Sequence, residues 1–400
     1  MDYRMKGARI LLGVTGGIAA YKAAALTSTL VQAGAIVDVI LTAHAERFIS
    51  ALTFSSLTAR PVYTSLWDAP ERIPHIRLVR EAEVCLVAPA TANFISKLAS
   101  GAADDLLSTA LLAARIPVVV APAMNSAMYE NSATQAHLAV LRERGIHIVD
   151  PESGFLAERE SGAGRLASEE RLIDALMVAR ALDGPLRGKR VAITAGPTRE
   201  PIDPVRHLSN ASTGAMGIAL AREAARRGAE VTLILGPTLL SAPECVRTIH
   251  VGSAQELYDA ALLHARGADI TIATAAVSDW RPAQQSPEKI KKTEQDLTVR
   301  MVRNPDTLAA LGAEKGTTYV VGFAAETQMH EAHAREKLRN KNLDAIAVND
   351  VGGQRAFGVG ENTLTVLFAD GSRAELGTHP KAELAARLWD ALIPRMESKA

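Results

Sequence analysis

Short apolar runs alternate with amphipathic, Ala-rich stretches along this chain. ARILLGV (8–14), IVDVILT (36–42), VCLVAPA (84–90) and IPVVVAPA (116–123) read as buried strands, with helical stretches between the first two and the last two. A second series repeats the alternation: KRVAITA (189–195), EVTLILG (230–236), TIHV (248–251), DITIATAAV (269–277) and TYVVGFAA (318–325). Strands that alternate with helices form a parallel sheet covered on both faces, so the expected fold is α/β with two doubly wound, Rossmann-like domains. Gly184, Pro185 and Gly188 separate the two series, which places the domains at 1–189 and 190–400.

The connection ITAGPTREPIDPVRHLSNASTGAMG (193–217) reaches its helix only after two glycine-containing turns. A βα connection needs about two to six residues, and one roughly three times longer is functional or disordered. Its prolines and apolar flanks favour function. Gly196 and Pro197 end the strand, Pro201 and Pro204 stiffen the excursion, and Ser212, Thr213, Gly214 and Gly217 bring backbone N–H groups to a helix start, where anions bind.

In the first half, GVTGGIAAYK (13–22) sets Gly16 and Gly17 between a strand and a helix, a geometry that suits a phosphate and equally fits a plain βα turn. It lacks the GxGxxG spacing, and the second strand ends in Thr42-Ala43-His44 without an acidic residue for a ribose diol, which disfavours an NAD-type oxidoreductase. APATANFISKLASGAADDLLSTAL (88–111) carries Thr91, Asn93, Lys97, Asp104 and Asp105 past a strand end, and APAMNSAMYEN (121–131) carries Asn125 between Met124 and Met128. Polar loops at the carboxyl ends of strands are where open α/β sheets bind ligands. Asp104 and Asp105 also read as helix caps or a solvated face, and Met124 and Met128 as core.

Composition narrows the partners. Forty-four basic residues balance forty-four acidic ones, so net charge favours neither nucleic acid nor a membrane surface, and 48% hydrophobic content suffices for two cores. Arg4, Lys6 and Arg9 precede an apolar stretch that Gly16, Gly17 and Lys22 interrupt; a cytoplasmic protein is expected. Cys85 and Cys245 stand far apart in strand-like runs and read as buried small hydrophobes, with neither a zinc site nor a disulfide.

GGIAAYK, His75-Ile76-Arg77-Leu78, PATANFISKLASGAADDLL and PAMNSAMY resemble the flavin-dependent cysteine decarboxylases, which are flavodoxin-like, while AGPTREPIDPVRHLSNASTGAMG resembles phosphopantothenate–cysteine ligase. In this order they resemble the bifunctional coenzyme A biosynthesis proteins of bacteria, from Gly13 to about residue 370. The resemblance implies CTP-dependent ligation of 4'-phosphopantothenate with cysteine through an acyl-cytidylate. FMN-dependent decarboxylation of 4'-phosphopantothenoylcysteine to 4'-phosphopantetheine follows. It makes His75 the catalytic base, sets Asn125 on the substrate carboxylate, and puts Gly16, Gly17, Thr42, Ala88, Pro89, Ala90 and Thr91 around FMN.

For the ligase, the resemblance assigns Asn210 to the acyl-cytidylate, Asp279 to the strand-end motif AAVSDW (275–280), and Lys289 of KIKK (289–292) to the phosphate charge. Asn304, Pro305, Asp306 and Thr307 of RNPDTL (303–308) and Phe323 of GFAAET (322–327) become nucleotide loops. Lys337 and Lys341, four apart, would share a helix face and address the triphosphate, although such a pair taken alone is usually a solvated face. Mg²⁺ is expected with the triphosphate, held largely by phosphate oxygens and water, so no metal ligands are assigned. The family implies homo-oligomers, trimers of the first domain and dimers of the second.

Two positions depart from the family pattern. Ala215 stands where a lysine is usual, and in LAERESGAGRL (156–166) Glu158 stands where the decarboxylase flap often carries a cysteine. Glu158 is the candidate replacement acid; the alternative is an active ligase joined to a flavin-binding regulatory module.

Overall fold

The structure is a computed structural model that describes residues 5–67, 73–155, 161–181, 184–292, 297–326, 330–350 and 361–397. The chain divides into two compact units, Met1–Leu182 and Asp183–Ala400. The division falls before the expected 189/190 boundary because Leu186 is 1% exposed and its N–H donates to Arg227 O at 3.0 Å, which ties this stretch to the second unit.

In the first unit, β1 (Arg9–Val14), β2 (Ile36–Leu41), β3 (Val62–Tyr63), β4 (Val84–Ala90), β5 (Val118–Pro122) and β6 (His147–Ile148) form a parallel sheet in the order β3-β2-β1-β4-β5-β6. Side chains alternate across it. Ile10, Leu12 and Val14 join one core with Ala23, Leu26 and Leu30 of the helix Ala20–Gln32, while Leu11, Cys85 and Val87 join the opposite core with Phe94 and Leu107. Each such aliphatic side chain contributes about 1.5–3 kcal/mol when fully buried, which is why continuous apolar runs mark these strands. A two-stranded antiparallel ribbon, β7 (Glu152–Phe155) with β8 (Ser161–Arg165), follows the sheet.

The second unit builds on β9 (Arg190–Ala195), and its long connection contains another antiparallel ribbon, β10 (Arg199–Pro201) with β11 (His207–Ser209). Next come β12 (Glu230–Leu235), β13 (Arg247–His250), β14 (Ile270–Ala273), a third ribbon of β15 (Trp280–Pro282) with β16 (Met301–Arg303), and β17 (Tyr319–Glu326), β18 (Ala345–Asp350), β19 (Glu361–Phe368) and β20 (Arg373–Pro380). The eight-stranded sheet runs β13-β12-β9-β14-β17-β18-β19-β20. Through β18 it is parallel and repeats the topology of the first sheet, but β19 and β20 are antiparallel, so this sheet is mixed where a parallel one was expected. The expected strand 269–277 stops at Ala273; beyond it Ala276 N–H donates to Gly196 O at 2.9 Å and the chain follows the loop after β9.

Close packing fixes that loop. A Cβ on Gly217 would stand 2.4 Å from both Ala195 Cβ and Thr274 Oγ1, so only glycine lets the helix Ala215–Arg226 press against β9 and β14. The same helix is held from outside by Trp389 of the helix Lys381–Glu397, fully buried with its indole N–H donating to Leu220 O at 3.1 Å. Cys85 is buried, and burial pushes its thiol up to about 12; Cys245, expected to be buried, is half-exposed. Among the described residues, no helix is long and apolar enough to cross a membrane.

Candidate functional site

In each unit the strand order reverses beside the first strand, between β1 and β4 and between β9 and β14, and the crevice at the carboxyl ends of those strands is the place for a ligand. In the first unit Thr15 stitches the loops at this point. Its hydroxyl donates to Pro89 O at 2.7 Å and accepts from Thr91 N–H at 3.0 Å, and Thr42 N–H donates to Val14 O at 3.1 Å. A Cβ on Gly16 would lie 2.3 Å from His44 Cβ, so glycine is required for the loops after β1 and β2 to meet. One on Gly17 would be 3.6 Å from Thr91 Cγ2. Gly16, Gly17, Thr42 and the 88–91 segment therefore come together as the sequence implied, and Thr15, inside the quoted GVTGG motif, is the residue that sequence reasoning passed over.

Asn125 caps the short helix Ser126–Glu130, its Oδ1 accepting from Ala127 N–H at 2.9 Å. The β7–β8 ribbon lies against this loop: Met124 N–H donates to Gly164 O at 3.0 Å, and a Cβ on Gly162 would be 2.2 Å from Ser126 Oγ. Glu158 lies outside the described residues. His75 is the second residue of the helix Pro74–Glu81, and its Nδ1 is buried with no hydrogen-bond partner. A buried polar atom in that state costs about 1–3 kcal/mol, and a ligand atom or a water would satisfy it. Asp105 caps the helix Leu106–Leu112 and pairs, with Asp104, to Lys97 at 3.2 and 2.8 Å, so here the capping reading holds. Met124 packs against the core and Met128 is exposed.

In the second unit a cavity of about 510 Å³ opens at the carboxyl ends of β9, β14 and β17. Asp279, Asn304, Pro305, Asp306, Thr307, Phe323 and Lys341 all line it, which unites most of the residues implied for the nucleotide. Asn304 fastens its loop to the strand-end motif, donating to Ser278 O at 2.8 Å while its backbone N–H donates to Asp279 O at 2.9 Å. Burial works against a charge on Asp306, yet the Lys341 ammonium at 2.8 Å and the Ala309 and Leu308 N–H groups outweigh it and hold the carboxyl below its ordinary range. Thr307 Oγ1 is buried and unpartnered. Trp280 and Arg303, given no role in the sequence reading although they are the last residue of AAVSDW and the first of RNPDTL, line the same cavity with the guanidinium 5.6 Å from the indole centroid.

Asn210 is not among the residues lining the cavity but is tied to its wall: its Nδ2 donates to Ala276 O at 3.1 Å and to Val277 O at 3.0 Å, and Val277 is a lining residue. Lys289, Lys291 and Lys292 are exposed and Ile290 half-buried, and Lys289 is not among the residues lining the cavity. Lys337 sits on the exposed surface of the helix His330–Asn340, outside the cavity lining, so the lysine pair separates: Lys341 follows the helix end and turns inward. The helix-start N–H groups implied for anions are partly engaged, Gly214 N–H by Ser212 Oγ at 3.3 Å and Ala215 N–H by Thr213 Oγ1 at 3.4 Å. Among the described residues, no group of three or more His, Cys, Asp or Glu is arranged to hold a metal ion.

Comparison with known proteins adds independent findings. The family model for the DNA/pantothenate metabolism flavoprotein C-terminal domain matches residues 186–395, and the Flavoprotein model matches residues 2–181. The coenzyme A biosynthesis bifunctional protein CoaBC of Haemophilus influenzae is 43% identical, with 98% of this chain and 99% of its own covered; that of Bacillus subtilis is 47% identical over 94% of each. A solved cysteine-to-serine mutant of PPC decarboxylase, complexed with pantothenoylaminoethenethiol, is 32% identical over 41% of this chain and 93% of its own, with a TM-score of 0.39.

Proposed function

The chain belongs to the family of coenzyme A biosynthesis bifunctional proteins and is an enzyme with ligase and decarboxylase activities; on that basis we propose how its residues divide the work. The second unit joins 4'-phosphopantothenate to cysteine at the expense of CTP. The substrate carboxylate attacks the α-phosphorus, pyrophosphate leaves, and the cysteine amine then displaces CMP from the acyl-cytidylate. The observation that carries this reading is a cavity whose volume suits a nucleotide and whose lining includes Lys341 and Arg303, with Asn210 bonded to the backbone of the lining residue Val277.

Phe323 offers an apolar surface for the base, and Lys341 and Lys289 offset the charge that builds on the leaving phosphates. Mg²⁺ accompanies the triphosphate through phosphate oxygens and water. The acyl-cytidylate route is tested by supplying CTP and 4'-phosphopantothenate without cysteine. About one pyrophosphate per ligase site is expected, followed by a stall that cysteine relieves; absence of any release until cysteine is added would reject the route.

The first unit decarboxylates the ligase product. Gly16, Gly17, Thr42 and the 88–91 segment would hold FMN, and the residues fit: their loops are stitched together at the strand ends, and the buried His75 Nδ1 is still unsatisfied. Bound there, FMN supplies reversible two-electron oxidation of the thiol, which gives the departing carboxylate an electron sink that the substrate lacks. Asn125 orients that carboxylate, His75 takes a proton from the substrate, and Glu158 returns one after carbon dioxide has left. A glutamic acid serves there when water is excluded, since burial disfavours its charged form. The chain works in the cytoplasm as a homo-oligomer.

A further inference from the structure

We infer that Asp203 is a positioning residue for ligation: its carboxylate, with Arg206, clamps the backbone of Ile290 and thereby sets Lys289 toward the phosphates. Asp203 lies in the turn between β10 and β11, on the same connection that carries Asn210 to the cavity wall. Its side chain is fully buried although the turn around it is exposed. One oxygen, Oδ1, accepts from Val205 N–H at 2.9 Å and Arg206 N–H at 2.8 Å and so closes the turn.

The other oxygen leaves the turn. Oδ2 accepts from Arg206 Nε at 2.9 Å and from Ile290 N–H at 3.1 Å, while Arg206 Nη2 donates to Ile290 O at 2.7 Å. Both backbone groups of Ile290 are thus held by one ion pair, whose carboxylate is buried and whose arginine is exposed. A further bond, Ser286 N–H to Ile202 O at 3.0 Å, brings the approaching chain to the same turn.

An exposed lysine next to a fixed peptide has a fixed Cα and a limited reach, whereas on a free loop its ammonium would be spread over many positions. Preorganising a charge in this way is how electrostatic stabilisation is made effective, and a displacement of 1 Å can cost about 10²-fold in rate. The Arg206 guanidinium, together with the Val205, Ile290 and Arg206 N–H groups, outweighs the effect of burial and holds the Asp203 carboxyl far below the usual carboxylate range. The clamp therefore stays charged at neutral pH. The competing explanation is that Asp203 only shapes its own turn.

The proposal rests on the assignment of Lys289, and a double-mutant cycle in the full-length chain separates the two. Asp203→Asn keeps an oxygen for the turn and presents a donor to Ile290 N–H, so steady-state pyrophosphate release is expected to fall about 10- to 100-fold through kcat, with the KM for cysteine unchanged. Combined with Lys289→Gln, it should add less than about twofold to the loss from Lys289→Gln alone, because both changes remove one interaction. Ile290→Pro, which deletes the clamped N–H and leaves Asp203 and Arg206 intact, should show the same coupling. Decarboxylation of added 4'-phosphopantothenoylcysteine and the melting profile report folding.

A wild-type kcat in both Asp203→Asn and Ile290→Pro, or losses that multiply with that of Lys289→Gln, would overturn the clamp while leaving the Lys289 assignment standing. An unchanged rate in Lys289→Gln itself would overturn both.

Discussion

Asn210→Asp and Lys289→Gln are each expected to slow ligation by about 10²- to 10³-fold or more while decarboxylation continues at the wild-type rate. Asn210 donates through one nitrogen to Ala276 O and Val277 O; aspartate has no donor to offer and sets a carboxylate oxygen against two carbonyl oxygens. It also adds a negative charge where phosphates must enter. Losing a single preorganised stabilising group costs about 10²- to 10³-fold, so steady-state pyrophosphate release with CTP, 4'-phosphopantothenate and cysteine should fall at least that far. Decarboxylation is checked on 4'-phosphopantothenoylcysteine supplied directly. Pyrophosphate release at the wild-type rate in either variant would show that its role has been misassigned.

In the first unit, His75→Asn and Glu158→Gln should fail at different stages. His75 is kept with a buried, unpartnered ring nitrogen, and its loss removes the group that starts the reaction, so carbon dioxide and thiol product should both fall about 10²- to 10⁴-fold while flavin remains bound. Glu158 acts last in this account. Its replacement should let carbon dioxide escape while the thiol product stalls. Carbon dioxide and thiol are measured separately, with the flavin absorbance of each variant as the control for an intact site. Unchanged formation of both products in Glu158→Gln would return the proton delivery to water or another side chain.

Periodicity carried β1, β2, β4, β5, β9, β12, β14 and β17 because each is a short, largely buried apolar run, as in β4, where every residue is buried, but it passed over the two-residue strands β3 and β6 and the parallel β18. The antiparallel edge was missed even though β19 begins with an alternation, Asn362 and Leu364 buried between exposed or half-exposed neighbours, before its buried end at Val366–Phe368. A search for continuous apolar runs passes over such a strand. The family resemblance picked out Gly16, Gly17, Thr91 and the 304–307 loop; glycines at a strand end equally fit a plain βα turn, so local spacing alone would not have singled them out. It could not place Lys337 and Lys341 separately: helical spacing puts them on one face only while the helix lasts, and this one ends at Asn340. Asp203 was hidden for another reason. Its partner Ile290 is remote in sequence, and no local pattern encodes a bond from a side chain to a distant peptide.

The central claim is that one chain carries both activities in sequence. The most direct test supplies the purified protein with 4'-phosphopantothenate, cysteine and CTP and follows pyrophosphate and carbon dioxide separately. The account predicts that pyrophosphate appears first, that carbon dioxide follows after a lag and approaches one per pyrophosphate, and that omission of CTP abolishes both. Sustained pyrophosphate release with no carbon dioxide from a flavin-loaded chain would contradict it and leave the first unit as a flavin-binding module beside an active ligase.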